Sequence, residues 1–395
     1  MMRLPLEGIV VVALEQAVAG PFATRQLADL GARVIKIERT GVGDFARGYD
    51  ETVKGMSSAF FWANRSKESL TLDVKHPEAA LVLQRLISRA DVFVQNLAPG
   101  AAQRLGLGAD ELRSVDPRLV VCNITGYGPD GPYRDKKAYD LLVQAEAGII
   151  SVTGSPDDPA KVGTSIADIA GGMYAYSGVL AALFHRERTG EGAVVEVSLF
   201  DSLVEWMSYP LYYTEYGGKQ PPRMGMSHPT IAPYGSFRTR DGHDLLLAVQ
   251  SEREWRNFCA LVLGDGSVAE DERFRSMSRR VANRDELQQV VGTRLGEVDI
   301  EDAVALLDGG DIASARVTPV SDLARHPQLL ARDRWRDVDS PVGPVRALLP
   351  PGIPAGIDPR MDAVPGLGEH TDGVLRWLGY TAEETAQMRA AGLSS

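Results

Sequence analysis

The chain has 395 residues, 44% hydrophobic and 24% charged, which suits a globular protein of about two domains. A formal net charge of −11 argues against non-specific nucleic-acid binding, although a local basic cluster can still hold an anionic ligand. No apolar run is expected to reach the ~20 residues of a bilayer span, and the opening residues carry no basic or apolar stretch of the export type. The two cysteines, Cys122 and Cys259, lie far apart, so a reduced, cytoplasmic protein without a membrane partner is expected.

Residues 6–14 form a short β-branched run, fit for a strand buried on both faces. A helix follows, with Pro21 near its start and Gly31 at its end. Residues 32–38 read as a second strand, so the opening is a βαβ unit with a right-handed crossover. The alternation continues: a strand at 69–73, a helix at 77–88, strands at 91–96 and 118–124, and a helix opening near Ala138. A long apolar helix is predicted from Ala167 to about Arg186, with basic residues at its negative end. The strand at 194–198 returns to the sheet. This pattern predicts an α/β fold, a doubly wound Rossmann-like parallel sheet whose ligands lie at the carboxyl ends of the strands.

The composition changes at Tyr216. Residues 216–224 and 326–340 read as linkers that bound a smaller α+β domain at 225–325. The large domain spans 1–215 and is completed by 330–395. Within the small domain, strands are predicted at 234–238 and 244–249, followed by charged amphipathic helices. Thr381 and Glu384 have the spacing of a capping box on a last helix.

Several familiar signals are missing. No G-x-G-x-x-G follows the first strand, and there is no Walker A lysine, G-x-S-x-G elbow or H-E-x-x-H. The six histidines are scattered, and no metal site is expected. The informative residues stand after strands: Arg39, Asn96, Arg104 and Lys137, which the topology brings to one rim of the sheet. Any one of them alone reads as a solvated surface group; a rim of cations suits phosphates. Asp168 is predicted at the N-cap of the long helix, ahead of Gly171 and Gly172. It either caps first-turn N–H groups or is aimed by them at a substrate, and the glycine pair would let a ligand approach the backbone.

Beyond these readings, the segment Ala19-Gly20-Pro21-Phe22 with residues 27–39 resembles the opening of the family III coenzyme A transferases. The family holds formyl-CoA:oxalate, carnitine and mesaconate/citramalate CoA-transferases and the α-methylacyl-CoA racemases. The likeness continues through residues 64–67, 96–100, 126–128, 138–140, Ala167 with Asp168, 188–192 and 367–371. It implies that Asp168 is the catalytic nucleophile, passing through an acyl anhydride and an aspartyl-CoA thioester. It further implies CoA contacts from Arg39, Asn96, Arg104, Lys137 and Tyr139, with Gln16, Ala17 and Val18 lining the thioester end. No permanently bound cofactor is implied, CoA and acyl-CoA being substrates. The partners implied are a small carboxylic acid and a second copy of the chain in an interlaced homodimer.

The racemases resembled have a histidine base where this chain has Tyr139, and tyrosine is a poor base at neutral pH, so transferase is favoured over racemase. The passage from Met224 to Tyr234 lacks the glycine run of the oxalate enzymes and resembles the branch handling succinate, mesaconate, citramalate or itaconate. Ser227 and His228 in it are either ligands to a distal carboxylate or ordinary loop residues. A catalytically idle CoA-binding protein is the alternative from another class.

Overall fold

A computed structural model describes residues 3–395. The described residues divide into two compact units, the first built from 3–148, 162–208 and 330–395, the second from 149–161 and 209–329. The first unit opens with β1 (Val10–Leu14), α1 (Ala19–Asp29), β2 (Arg33–Glu38), α2 (Ser58–Asn64), β3 (Lys67–Thr71), α3 (Ala79–Ile87) and β4 (Val92–Gln95). Short helices α4 (Ala101–Arg104) and α5 (Ala109–Val115) lead to β5 (Val120–Thr125). Then come α6 (Asp140–Glu146), α7 (Ile166–Thr189), β6 (Val194–Ser198) and α8 (Leu199–Trp206).

The six strands form one parallel sheet in the order β3-β2-β1-β4-β5-β6. The order reverses between β1 and β4, which opens a crevice at their carboxyl ends. Val12, Ile35, Phe93 and Val121 on one sheet face pack with Leu83, Leu86 and Leu375 into a dry core. The edge strand β3 does not stay bare. Ser66 N–H donates to Ala363 O at 3.0 Å, His370 N–H to Ser69 O at 3.0 Å, and Thr71 N–H to Thr371 Oγ1 at 3.1 Å. The final stretch of the chain thus blunts an edge that the N-terminal stretch creates.

By length and composition alone, the 24-residue helix α7 is apolar enough to cross a membrane, contrary to the reading of composition above. Here Ala170, Gly171, Gly172, Ala175 and Val179 are buried and the helix packs against α1 and α8. The glycine pair also has a different purpose from the one expected. A Cβ on Gly172 would lie 2.8 Å from Ala19 O and one on Gly171 2.5 Å from Leu199 Cδ2. They admit neighbouring helices rather than a ligand.

In the second unit, β7 (Tyr234–Arg238), β8 (Asp244–Ala248) and β9 (Ala313–Arg316) form an antiparallel sheet in that order. Trp255, Phe258, Leu287, Val291 and Leu307 from the intervening helices fill its core. The strand β9 has no counterpart among the predicted elements, because Ala313–Arg316 has an exposed, mostly polar face. The capping box is present: Thr381 N–H donates to Glu384 Oε2 at 2.7 Å and Glu384 N–H to Thr381 Oγ1 at 3.2 Å.

Candidate active site

The reversal point of the sheet holds a cleft of about 350 Å³. Leu14, Ile37, Leu72, Val74, Leu97 and Leu105 give it apolar walls, while Arg39, Lys75 and Arg104 supply cations. Arg39 and Arg104 are both exposed, and the Arg39 guanidinium lies 4.3 Å from the centre of the Phe45 ring. Flat apolar walls rimmed by positive charge suit a heteroaromatic ring carrying phosphates. Lys75 follows β3 as Arg39 follows β2; the rim rule that singled out Arg39 applies to it equally.

Gln16 also lines the cleft. Its backbone is gripped on both sides by Asn96: Gln16 N–H donates to Asn96 Oδ1 and Asn96 Nδ2 donates to Gln16 O, each at 2.8 Å. Asn96 therefore shapes the β1–α1 loop with both ends of its amide. Gln16 Oε1 is buried with no hydrogen-bond partner, an acceptor open to a ligand donor. Ala17 holds a left-handed φ of +63°, strained for a residue with a Cβ, and Val18 is buried. Lys137 and Tyr139 are exposed and are not among the cleft-lining residues; Tyr139 precedes α6 as its N-cap.

Behind the loop lies a buried ionic cluster. Lys36 Nζ sits 2.7 Å from Asp44 Oδ2 and 3.4 Å from Glu15 Oε1; Lys67 Nζ sits 2.7 Å from the same Glu15 oxygen. Two acids and two lysines make a neutral quartet, all four side chains fully buried or nearly so. Burial alone would raise the Glu15 carboxyl, but Lys67 and Lys36 hold it below its ordinary range. Burial pulls Lys67 down to about 8 against the attraction of Glu15. Next to the quartet, burial works upward on Glu38 too, yet two Arg47 hydrogen bonds of 2.8 Å and the charge of Lys36 take it to about 2. Such clusters contribute little net stability but penalise every arrangement that breaks a pair.

Asp168 falls in the first turn of α7, third in the helix rather than at its N-cap, which is Ser165. The capping task expected of it is done by Asp140, whose Oδ1 accepts the Ala167 N–H at 2.7 Å. Asp140 is steadied by the fully buried Gln144, which donates to Asp140 Oδ2 at 2.7 Å and accepts the Val162 N–H at 2.9 Å. Among the described residues no group donates a hydrogen bond to Asp168. Burial, then the Asp140 charge, push its carboxyl up to about 7. Tyr49 lies within electrostatic reach of Asp168, Asp44 and Tyr139, and burial followed by those groups raises its phenol. A half-buried, unpaired carboxylate is a usable nucleophile, and a raised pKa strengthens its basicity.

Ser227 and His228 belong to the second unit. The His228 ring stacks on Tyr234 with centroids 5.2 Å apart, and its Nδ1 accepts the Thr230 N–H at 3.3 Å. Ser227 Oγ packs on Gly235, where a Cβ would lie 2.9 Å away. In this structure both residues shape their own loop.

Comparison with known proteins decides the class. The profile of "CoA-transferase family III" matches residues 6–371. The chain belongs to that family. A relative from Agrobacterium fabrum named succinate–glutarate CoA-transferase is 36% identical over 396 residues, covering 97% of each chain. Another, acetyl-CoA:oxalate CoA-transferase of Acetobacter aceti, is 35% identical over 331 residues, covering 83% of this chain and 85% of the relative. The crystal structure of a CAIB/BAIF family protein from Brucella suis superimposes with a TM-score of 0.86 at 34% identity, covering 95% of this chain and all of that one. This family III member is an enzyme that transfers CoA.

Proposed function

We propose that the enzyme moves CoA between two short dicarboxylic acids through a covalent intermediate on Asp168. The Asp168 carboxylate attacks the thioester carbonyl of the donor acyl-CoA, forming a mixed anhydride and releasing CoA thiolate. The thiolate attacks the aspartyl carbonyl, forming an aspartyl-CoA thioester and freeing the donor acid. The acceptor carboxylate then displaces the thiolate, and the thiolate attacks the acceptor's acyl carbon to give the new acyl-CoA and regenerate Asp168. N–H groups near the start of α7 supply donors for the developing oxyanion.

The observation that carries this reading is a carboxylate with no hydrogen-bond donor among the described residues, in the first turn of a glycine-packed helix, in a chain matched to CoA-transferase family III. The dicarboxylate class is supported by the relatives' names, which specify succinate, glutarate and oxalate. The cleft at the β1–β4 reversal holds the CoA nucleotide, with Arg39, Lys75 and Arg104 on its phosphates and Gln16, Ala17 and Val18 toward the thioester. Lys137 and Tyr139 are further CoA contacts, a role supported by the family match alone. The working enzyme is a homodimer, supported by the exposed Tyr209, Tyr212 and Tyr216 side chains; light scattering at twice the 42.7 kDa chain mass is the expected result.

The decisive experiment mixes succinyl-CoA with oxalate, glutarate, mesaconate, citramalate and itaconate and follows new acyl-CoA by mass spectrometry. Hydroxylamine added during turnover should mark residue 168 as a hydroxamate. Asp168→Ala should bind CoA as before and lose transfer by at least about four orders of magnitude. A modified peptide elsewhere, or undiminished turnover in the variant, rejects the mechanism.

A further inference from the structure

One carboxylate in the lining of the cleft makes more ties than its position in a loop requires. Asp44 Oδ1 accepts the Ala17 N–H and the Ala46 N–H, each at 2.9 Å, while Oδ2 pairs with Lys36 at 2.7 Å. Asp44 is only 3% exposed. The two amides belong to separate walls. Ala17 sits in the β1–α1 loop, in the left-handed backbone that its Cβ disfavours. Ala46 is the second residue of the short helical turn Phe45–Gly48, which Asp44 caps and which is followed by Tyr49, within electrostatic reach of Asp168.

We propose that Asp44, anchored by Lys36, is a positioning residue that locks these two walls in register around the thioester. The inference rests on the reading of the cleft as the CoA site and Asp168 as the acyl acceptor. A left-handed alanine persists only where its surroundings over-determine it, and here the over-determining contacts are Asn96 on Gln16 and Asp44 on Ala17. Lys36 gives Asp44 its fixed orientation because the lysine springs from the rigid centre of β2 and has no exposed route out. The carboxylate thus transmits sheet geometry to two flexible loops. Its contribution is expected in kcat, since misplacement of reacting groups by about 1 Å costs about 100-fold, whereas the cations that grip the nucleotide are untouched.

The test removes the acceptor without leaving a lone charge. Lys36→Met combined with Asp44→Leu keeps the remaining Glu15–Lys67 pair neutral. The expected result is a kcat for CoA transfer lower by on the order of 100-fold, with KM for acyl-CoA changed by less than about threefold. Adding Ala17→Gly should restore about fivefold or more, because glycine takes the left-handed backbone unaided. Lys36→Met with Asp44→Asn retains an Oδ1 acceptor and should recover most of the lost kcat. Unchanged kcat in the Met/Leu variant, or equal losses with Asn and Leu, overturns the proposal. Amide exchange on the unaltered enzyme decides the matter even where a variant fails to fold. The Ala17 and Ala46 amides should exchange about 100-fold more slowly than free-loop amides, and unprotected exchange at either overturns the proposal. Transfer by the unaltered enzyme is measured alongside. Its absence with every acid removes the transferase reading and the proposal with it, while a kcat unchanged only in the variants removes Asp44 alone.

Discussion

Asp168 couples protonation to folding. With its carboxyl at about 7 against an unfolded value near ~3.9, the folded state binds the extra proton between those limits. The ionised side chain therefore penalises the fold increasingly as pH rises from about 4 to 7, and the penalty is constant above. Asp168→Asn removes it. The variant should match the parent in stability near pH 4 and exceed it by about 2 kcal/mol at pH 8, about half the full three-unit equivalent because the group keeps some solvent contact. Urea melts at the two pH values check this; a gain at pH 4 as large as at pH 8 contradicts the burial account. In the proposed CoA site the cleft cations act on affinity instead. Arg39→Ala and Arg104→Ala should each raise the Kd for CoA about tenfold, the worth of one charge-assisted contact, and the Kd of the parent should climb with added salt. Calorimetric titration at two ionic strengths measures both.

At the scale of elements, α7 gains its place through two glycines that face different neighbours. A Cβ at Gly172 would meet the Ala19 carbonyl and the Phe22 ring at 2.8 and 2.9 Å, and backbone cannot step aside. At Gly171 the neighbour is the tip of Leu199, which can rotate. Gly172→Ala should therefore lose about 1–3 kcal/mol. Gly171→Ala should stay near neutral, since the helix propensity of alanine returns roughly 1 kcal/mol. Denaturant midpoints compared for the two variants give the answer. The strands and the long helix were legible because apolar runs and period-3.6 stretches report burial directly. The helix α2 was not: its seven residues are too few to show a period. Asp168 was legible as a residue apart but not in register, because Ser165 and Asp168 both satisfy cap rules and only the Asp140 contact separates them. Lys36 read as an ordinary strand residue and Lys67 fell just outside the strand expected at 69–73, since nothing local says that acids distant in the chain will close around them.

For the whole molecule, the proposed site is a way for an acidic chain to host an anionic substrate. Charges that would repel CoA are scattered, while Arg39, Lys75 and Arg104 are gathered by topology at one crevice. Rim positions after strands were legible from the alternation of elements. The partners of those positions were not, as with Asn96, whose amide closes on Gln16 across 80 residues of sequence. The covering of β3 by residues 363–371 has a further consequence for biosynthesis. A ribosome delivers the Rossmann-like strands long before the segment that shields their outermost member, so the nascent chain presents an open row of amides and carbonyls while the second unit is still being made. Production of the enzyme should accordingly depend on holding chaperones more than its final stability suggests, and a chain stopped after residue 329 should accumulate in inclusion bodies.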